Sequence, residues 1–158
     1  MTSVQAHNET SEQLFMWESL LSTLSSSKSS ISTATSFASE SVTRQSSDTS
    51  STLHWLKANS SSTDSQHFHS ITAASAAVIA AERLLERIHT HLTSEQTPKP
   101  QRLALFYLVD SLLQNEQRIF LKQQPSPTLS AFSAAASVPF RSALEKNCWR
   151  GLKDLVHD

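Results

Sequence analysis

Gly151 is the only glycine among the 158 residues of this chain. No other feature excludes as many folds. Dinucleotide-binding turns, phosphate-binding loops and nucleophile elbows each need several glycines, because only glycine turns or approaches a ligand that closely. None of them can be built here. Alanine and leucine are plentiful and runs of β-branched residues are rare, so the chain is biased toward helix. An all-α fold is expected.

The length suits one domain that buries a core without staples. The lone cysteine, Cys148, rules out an intramolecular disulfide and points to a reducing compartment. The start, MTSVQAHNET, has neither a basic nor an apolar leader segment, so no signal peptide is expected. No apolar run approaches the roughly 18 residues that span a bilayer. The acceptor patterns at Asn8 and Asn59 are read as chance. Thirteen basic and fourteen acidic residues leave a net charge of -1, which gives nucleic-acid binding little support.

Residues 1–12 are polar and are expected to be disordered, with the domain spanning 13–158. The first helix is expected from Leu14 to Leu24, where Leu14, Trp17, Leu20, Leu21 and Leu24 recur at helical spacing. Serines 25–30 break it. Ser29 or Ser30 can cap a second helix from Ile31 to about Val42, with Ile31, Ala34, Thr35, Ala38 and Val42 on its inner face. Residues 43–66 are rich in Ser, Thr and Asp and are read as a flexible insertion with a docked turn at Trp55. The third helix has the clearest period: Ile71, Ala74, Val78, Ala81, Leu85, Ile88 and Leu92 step by three and four. Thr97-Pro98-Lys99-Pro100 ends it. A fourth helix is expected from about Gln101 to Gln117, a fifth at about 128–136, another beginning at Pro139, and the last from about Ala143 to Val156. At least six helices on short turns imply a superhelix or bundle.

The segment with most to say is Leu103–Asn115, L-A-L-F-Y-L-V-D-S-L-L-Q-N. It is apolar nearly all round, which predicts a central helix. Leu103, Tyr107, Asp110, Gln114 and Arg118 share one stripe; Leu105, Phe106, Val109, Leu112 and Leu113 form the other face. A carboxylate within such a helix is costly unless it is partnered. Three readings of Asp110 stand: it caps a neighbouring helix, it pairs with Arg118, or it sits on the floor of a groove.

The string Tyr107-Leu108-Val109-Asp110-Ser111-Leu112-Leu113-Gln114-Asn115 resembles the signature of CTD-interacting domains (CIDs), the modules that grip the heptad-repeat tail of the largest RNA polymerase II subunit. Within that family it is most similar to the regulation of nuclear pre-mRNA domain type and to plant PWWP-linked relatives. Leu21–Ile31 is similar to the family's first inter-helix loop, and the pattern of Leu152, Leu155 and Val156 to its final helix. The resemblance covers about residues 14–158. It implies a right-handed helical superhelix, here of about six to eight helices, of the CID, VHS or ENTH kind. It implies a groove that holds one Tyr-Ser-Pro-Thr-Ser-Pro-Ser heptad. Tyr107 would pack on the peptide and Asp110 would accept a hydrogen bond from its tyrosine or backbone. Asn115 and Arg118 would contact the peptide and its phosphates, Ser111 and Gln114 would line the site, and Ser26, Lys28 and Ile31 would complete the groove. The implied role is nuclear: transcription termination or pre-mRNA 3′-end processing, alongside other factors of those processes, without catalysis, cofactor or membrane.

Three departures bear on this. Asp154 stands where many members place a phosphoserine-gripping arginine, so Arg150 or Lys153 would have to take that part. The chain stops at Asp158, where the family continues with a tryptophan and one more helix. The serine-rich insertion adds surface length.

Other features are weaker. His67/His69 and His89/His91 face apart on a helix, and one cysteine with no H-E-x-x-H gives no zinc set. Cys148 beside Trp149 reads as core. Glu82 and Glu86 are interleaved with Arg83 and Arg87 and read as a solvated face. The serine tracts invite phosphorylation, but no specific motif marks a site. The competing class is a VHS- or ENTH-like adaptor in membrane trafficking. An ENTH-type anchor needs a basic amphipathic first helix, and residues 1–24 contain no Lys or Arg.

Overall fold

A computed structural model describes residues 2–57, 65–122 and 138–145, with side chains described over 11–45, 76–122 and 138–145. The described residues form five helices and no strand: α1 Thr2–Ser22, α2 Lys28–Lys57, α3 Ser65–Thr93, α4 Lys99–Lys122 and α5 Pro139–Ala143. Leu144 and Glu145 continue α5 as a wider turn. The all-α expectation holds for these residues. The segment expected at 128–136 and the bulk of the last expected helix lie outside them.

Several bounds differ from the sequence reading. Helix α1 begins at Thr2, so residues 2–12 are helical rather than disordered. Helix α2 runs on to Lys57, through most of the stretch read as a flexible insertion. The cause is the same in both. Neither segment contains Gly or Pro, and lengthening an existing helix avoids the costly nucleation step. Ser, Thr and Asp cost only about 0.5–0.7 kcal/mol each against Ala in a helix. Low apolar content argues against ordering a free segment, less so against extending a docked helix.

The periodic apolar positions whose side chains are described face inward; Ile71 and Ala74 lie outside them. Trp17, Leu21 and Leu24 come from the α1 stripe and its following turn; Ala34, Ala38 and Val42 from α2; Ala81, Leu85, Ile88 and Leu92 from α3; Leu105, Leu108 and Leu112 from α4. The small alanines bring α2 and α3 together in the most extensive helix pair of the fold. Trp17 is fully buried where three helices meet: its Nε1–H donates to the Leu84 carbonyl of α3 at 3.1 Å. Its ring stacks on Phe37 of α2, with centroids 5.9 Å apart and planes 8° from parallel.

Helix α4 is not the central helix that its apolar sequence predicts. Its buried residues are confined to one side, while Leu103 and Tyr107 are each half exposed and Ile119 and Leu121 also face outward. The central place belongs to α3, which packs against all four other helices. The beginning of α4 is latched to its neighbours. Gln101 Nε2 donates to the carbonyls of Leu21 and Ser22 at the end of α1, at 2.7 and 3.1 Å. Arg102 donates to the Ser94 and Thr97 carbonyls after α3, at 2.7 and 3.1 Å. These carbonyls lie at or beyond helix ends, where no intrahelical donor remains. Pro98 precedes α4 and Pro100 lies in its first turn, where a missing N–H costs nothing.

The far part of α4 is tied to α5. Val138 precedes α5 without a side-chain cap, and Pro139 fills its first turn. Buried Glu116 supplies the cap instead, accepting from the Phe140 and Arg141 amides at 2.7 and 3.0 Å. Among the described residues, no helix is long and apolar enough to cross a membrane.

Candidate peptide-binding groove

Five residues separate α1 from α2, and four of them are Ser or Thr. The cap of α2 is Ser27, not the expected Ser29 or Ser30: its carbonyl takes the Ile31 amide at 3.1 Å and its Oγ takes the Ser30 amide at 3.3 Å. Ser30 instead reaches back, its Oγ accepting from the Ser25 amide at 3.2 Å. These bonds tie Ser25 and Ser27 to the first turn of α2 and leave the Ser26 side chain exposed.

That turn faces α4 across a groove of about 500 Å³. One wall carries Ser26, Lys28, Ile31, Ser32, Thr35 and Ser36. The other carries Tyr107, Ser111, Gln114, Asn115 and Arg118. The structure therefore brings together, on one concave surface, the loop residues and the α4 residues that the sequence connects only through resemblance. Arg150 and Lys153 lie outside the described residues.

Two hydrogen bonds fix the spacing of the walls. The Thr35 hydroxyl donates to the Ile31 carbonyl at 2.8 Å, so its single proton is used, and Ser111 Oγ, 2.9 Å away, must donate to Thr35 Oγ1. Asn115 Nδ2 donates to Ser39 Oγ at 2.9 Å. Ser111 and Asn115 thus hold α2 to α4 as well as facing the groove. Sequence reading placed Thr35 on the inner face of α2, where it is buried, without seeing it as the partner of Ser111, and missed Ser39 and the lining residues Ser32 and Ser36. Their spacing, 32, 35, 36 and 39, is a polar helical stripe beside the apolar one, and it was the available signal.

Asp110 is not on the wall. It is exposed on α4 between the lining residues Tyr107 and Ser111, and its Oδ2 accepts from Gln114 Nε2 at 2.7 Å. It neither caps a described helix nor pairs with Arg118. The premise that a carboxylate sits in an apolar setting is corrected by this exposure: water covers the carboxylate and no burial cost needs explaining.

The charge of the groove is one-sided. Lys28 and Arg118 lie on opposite walls, no carboxylate lines either wall, and neither cation forms an ion pair with a described residue. Hydroxyls, one carboxamide on each of Gln114 and Asn115, and the half-exposed Tyr107 ring complete the surface. In a chain of net charge -1, such a surface would favour an anionic ligand over a cationic one. Among the described residues no cluster of His, Cys, Asp or Glu could hold a metal ion. His91 is engaged elsewhere, its Nε2 lying 2.9 Å from Glu18 Oε1.

No family model, curated protein or solved structure matches the chain.

Proposed function

We propose that this chain is a peptide-binding module that reads phosphorylated heptads of the RNA polymerase II tail through the α2–α4 groove. The reading places it in the nucleus, in transcription termination or pre-mRNA 3′-end processing, in company with other factors of those processes. The chain acts by binding, not by catalysis, and the remaining helices complete a right-handed superhelix. One observation carries the proposal: Lys28 and Arg118 lie on opposite walls of a groove lined by no carboxylate, whose α4 wall carries Tyr107, Ser111, Gln114 and Asn115 of the string. Its volume falls within the roughly 300–1,000 Å³ usual for ligand sites. A serine-rich, phosphorylated, tyrosine-containing heptad offers anions for the two cations, hydroxyls for the amides and a ring for Tyr107.

The test is an NMR titration of the chain with two-heptad peptides, unmodified and serine-phosphorylated. Binding on the order of micromolar is expected, tighter for the phosphorylated peptide. Shifts should gather at Tyr107, Ser111, Gln114, Asn115 and Arg118. Absence of shifts there with either peptide would overturn the proposal.

Asp110 gives a finer check. Because the side chain is exposed, Asp110→Asn and Asp110→Ala should both leave stability within about 0.5 kcal/mol of wild type. If a peptide hydroxyl or amide donates to it, Asn keeps one acceptor and should bind nearly as wild type. Ala should lose about 1–3 kcal/mol of binding. Equal affinity of all three proteins would remove Asp110 from the site.

A further inference from the structure

The serines of the α1–α2 loop and the first turn of α2 are not alike. Ser25 and Ser27 share a hydroxyl contact at 2.9 Å, Ser27 and Ser29 one at 3.5 Å, and Ser30 Oγ accepts the Ser25 amide. The Ser26 hydroxyl makes no hydrogen bond with a described residue, and its side chain is exposed. Of the residues lining the groove, Ser26 alone lies outside the described helices. The other lining hydroxyls of that wall, on Ser32, Thr35 and Ser36, belong to α2. A modifying enzyme must draw its target residue into its own cleft, which a loop permits and a helix turn resists.

We propose that Ser26 is a phosphorylation site, and that its phosphate lies in the groove and excludes an anionic peptide. This inference rests on the peptide-binding reading above and adds a means of switching it off. A serine/threonine kinase supplies the group from ATP. The Ser26 Oγ–P bond forms as the bond from the γ-phosphorus to the bridging oxygen breaks. ADP leaves with that electron pair, and the hydroxyl proton passes to the kinase's base. The product adds about 1.5–2 negative charges and three strong acceptors to a surface that has Lys28 and Arg118 and no carboxylate. Being tethered, the phosphate acts at an effective concentration of roughly millimolar, far above that of a free peptide binding at micromolar levels.

Two measurements on the full chain carrying phosphoserine at 26 test this. The first is fluorescence anisotropy with the phosphorylated two-heptad peptide, for which affinity at least about tenfold weaker than that of the unmodified chain is expected. The second needs no peptide. In ³¹P NMR the second ionisation of the phosphoserine should fall below its ordinary value of about 6, and should return toward it in Lys28→Ala and Arg118→Ala. Unchanged peptide affinity overturns the proposal. If the unmodified chain binds neither peptide, the functional reading above fails on its own, and the ³¹P measurement decides whether the phosphate occupies the groove. A phosphoserine signal indifferent to both alanine variants overturns the proposal in either case. Mapping by mass spectrometry after incubation of the chain with cell extract and ATP should place phosphate on Ser26 ahead of Ser32 and Ser36. The reverse order counts against it.

Discussion

Trp17→Ala should lower the unfolding free energy by about 3–5 kcal/mol, the usual loss when a fully buried large aromatic is truncated. A small domain has only about 5–15 kcal/mol in total, so the variant should melt far below wild type and lie close to unfolding at 37 °C. The size of the effect follows from position. One side chain fills the junction of α1, α2 and α3, stacks on Phe37 and donates to the Leu84 carbonyl. Its removal leaves a cavity against three helices at once. Trp17→Phe separates the contributions. It retains a ring for Phe37 but no donor for Leu84, whose carbonyl also serves the α3 ladder, so about 1 kcal/mol should be lost to the missing bond, besides any loss from the smaller ring. Urea denaturation of the three proteins decides it. An alanine variant within 1 kcal/mol of wild type would mean that the junction repacks around the gap.

Glu116→Gln should be the next most damaging change, although it preserves shape. The carboxylate accepts from two amides, Phe140 and Arg141, at the start of α5. A carboxamide has one oxygen and would set its NH₂ against the second amide. A buried donor left without an acceptor costs about 1–3 kcal/mol. The loss should be read in urea denaturation, and α5 should show the greatest rise in amide exchange. The pH dependence has a definite sign. Burial raises the Glu116 pKa above its ordinary value of 4.5, outweighing the two amide bonds and the nearby Arg141 charge that act to lower it. The native state therefore holds its proton more tightly than the unfolded chain between 4.5 and that raised value. Stability contributed by this group is fully present below 4.5 and falls as pH rises through the interval. The Gln variant lacks that slope, so its deficit against wild type should be greatest in acid and shrink toward neutrality. A deficit independent of pH would show that the carboxyl titrates alike in both states.

Much of the architecture was legible because periodicity reports burial. Trp17, Leu21, Ala38, Ala81, Ile88 and Leu105 are inside for the reason their spacing predicts. Helix ends were less legible. The polar extensions of α1 and α2 carry no period, and they are helical because they prolong helices already docked. The place of α4 was misread because apolarity alone does not distinguish a central helix from one with Leu103 and Tyr107 facing outward. For the site, the α4 string and the α1–α2 loop could be named from the sequence. Their meeting across one groove could not, since it depends on Thr35–Ser111 and Ser39–Asn115 pairs lying 76 residues apart. Glu116 was invisible for a related reason. A glutamate near the end of a helix ordinarily reads as solvated, and only the approach of α5 makes it a cap.

The latches on α4 have a mechanical consequence. Gln101 and Arg102 fasten its start to the ends of α1 and α3, and Glu116 fastens it to α5 some 14 residues on, roughly 21 Å along the axis at 1.5 Å per residue. Tyr107, Ser111, Gln114 and Asn115 all fall between those two fastenings. A span held at both ends resists bowing, so if the groove takes a ligand, this stretch of wall should keep its shape as the ligand arrives. Capture should then be a single encounter rather than a gated one. The observed rate should climb linearly with ligand concentration and show no plateau, as for partners that meet without a preceding rearrangement.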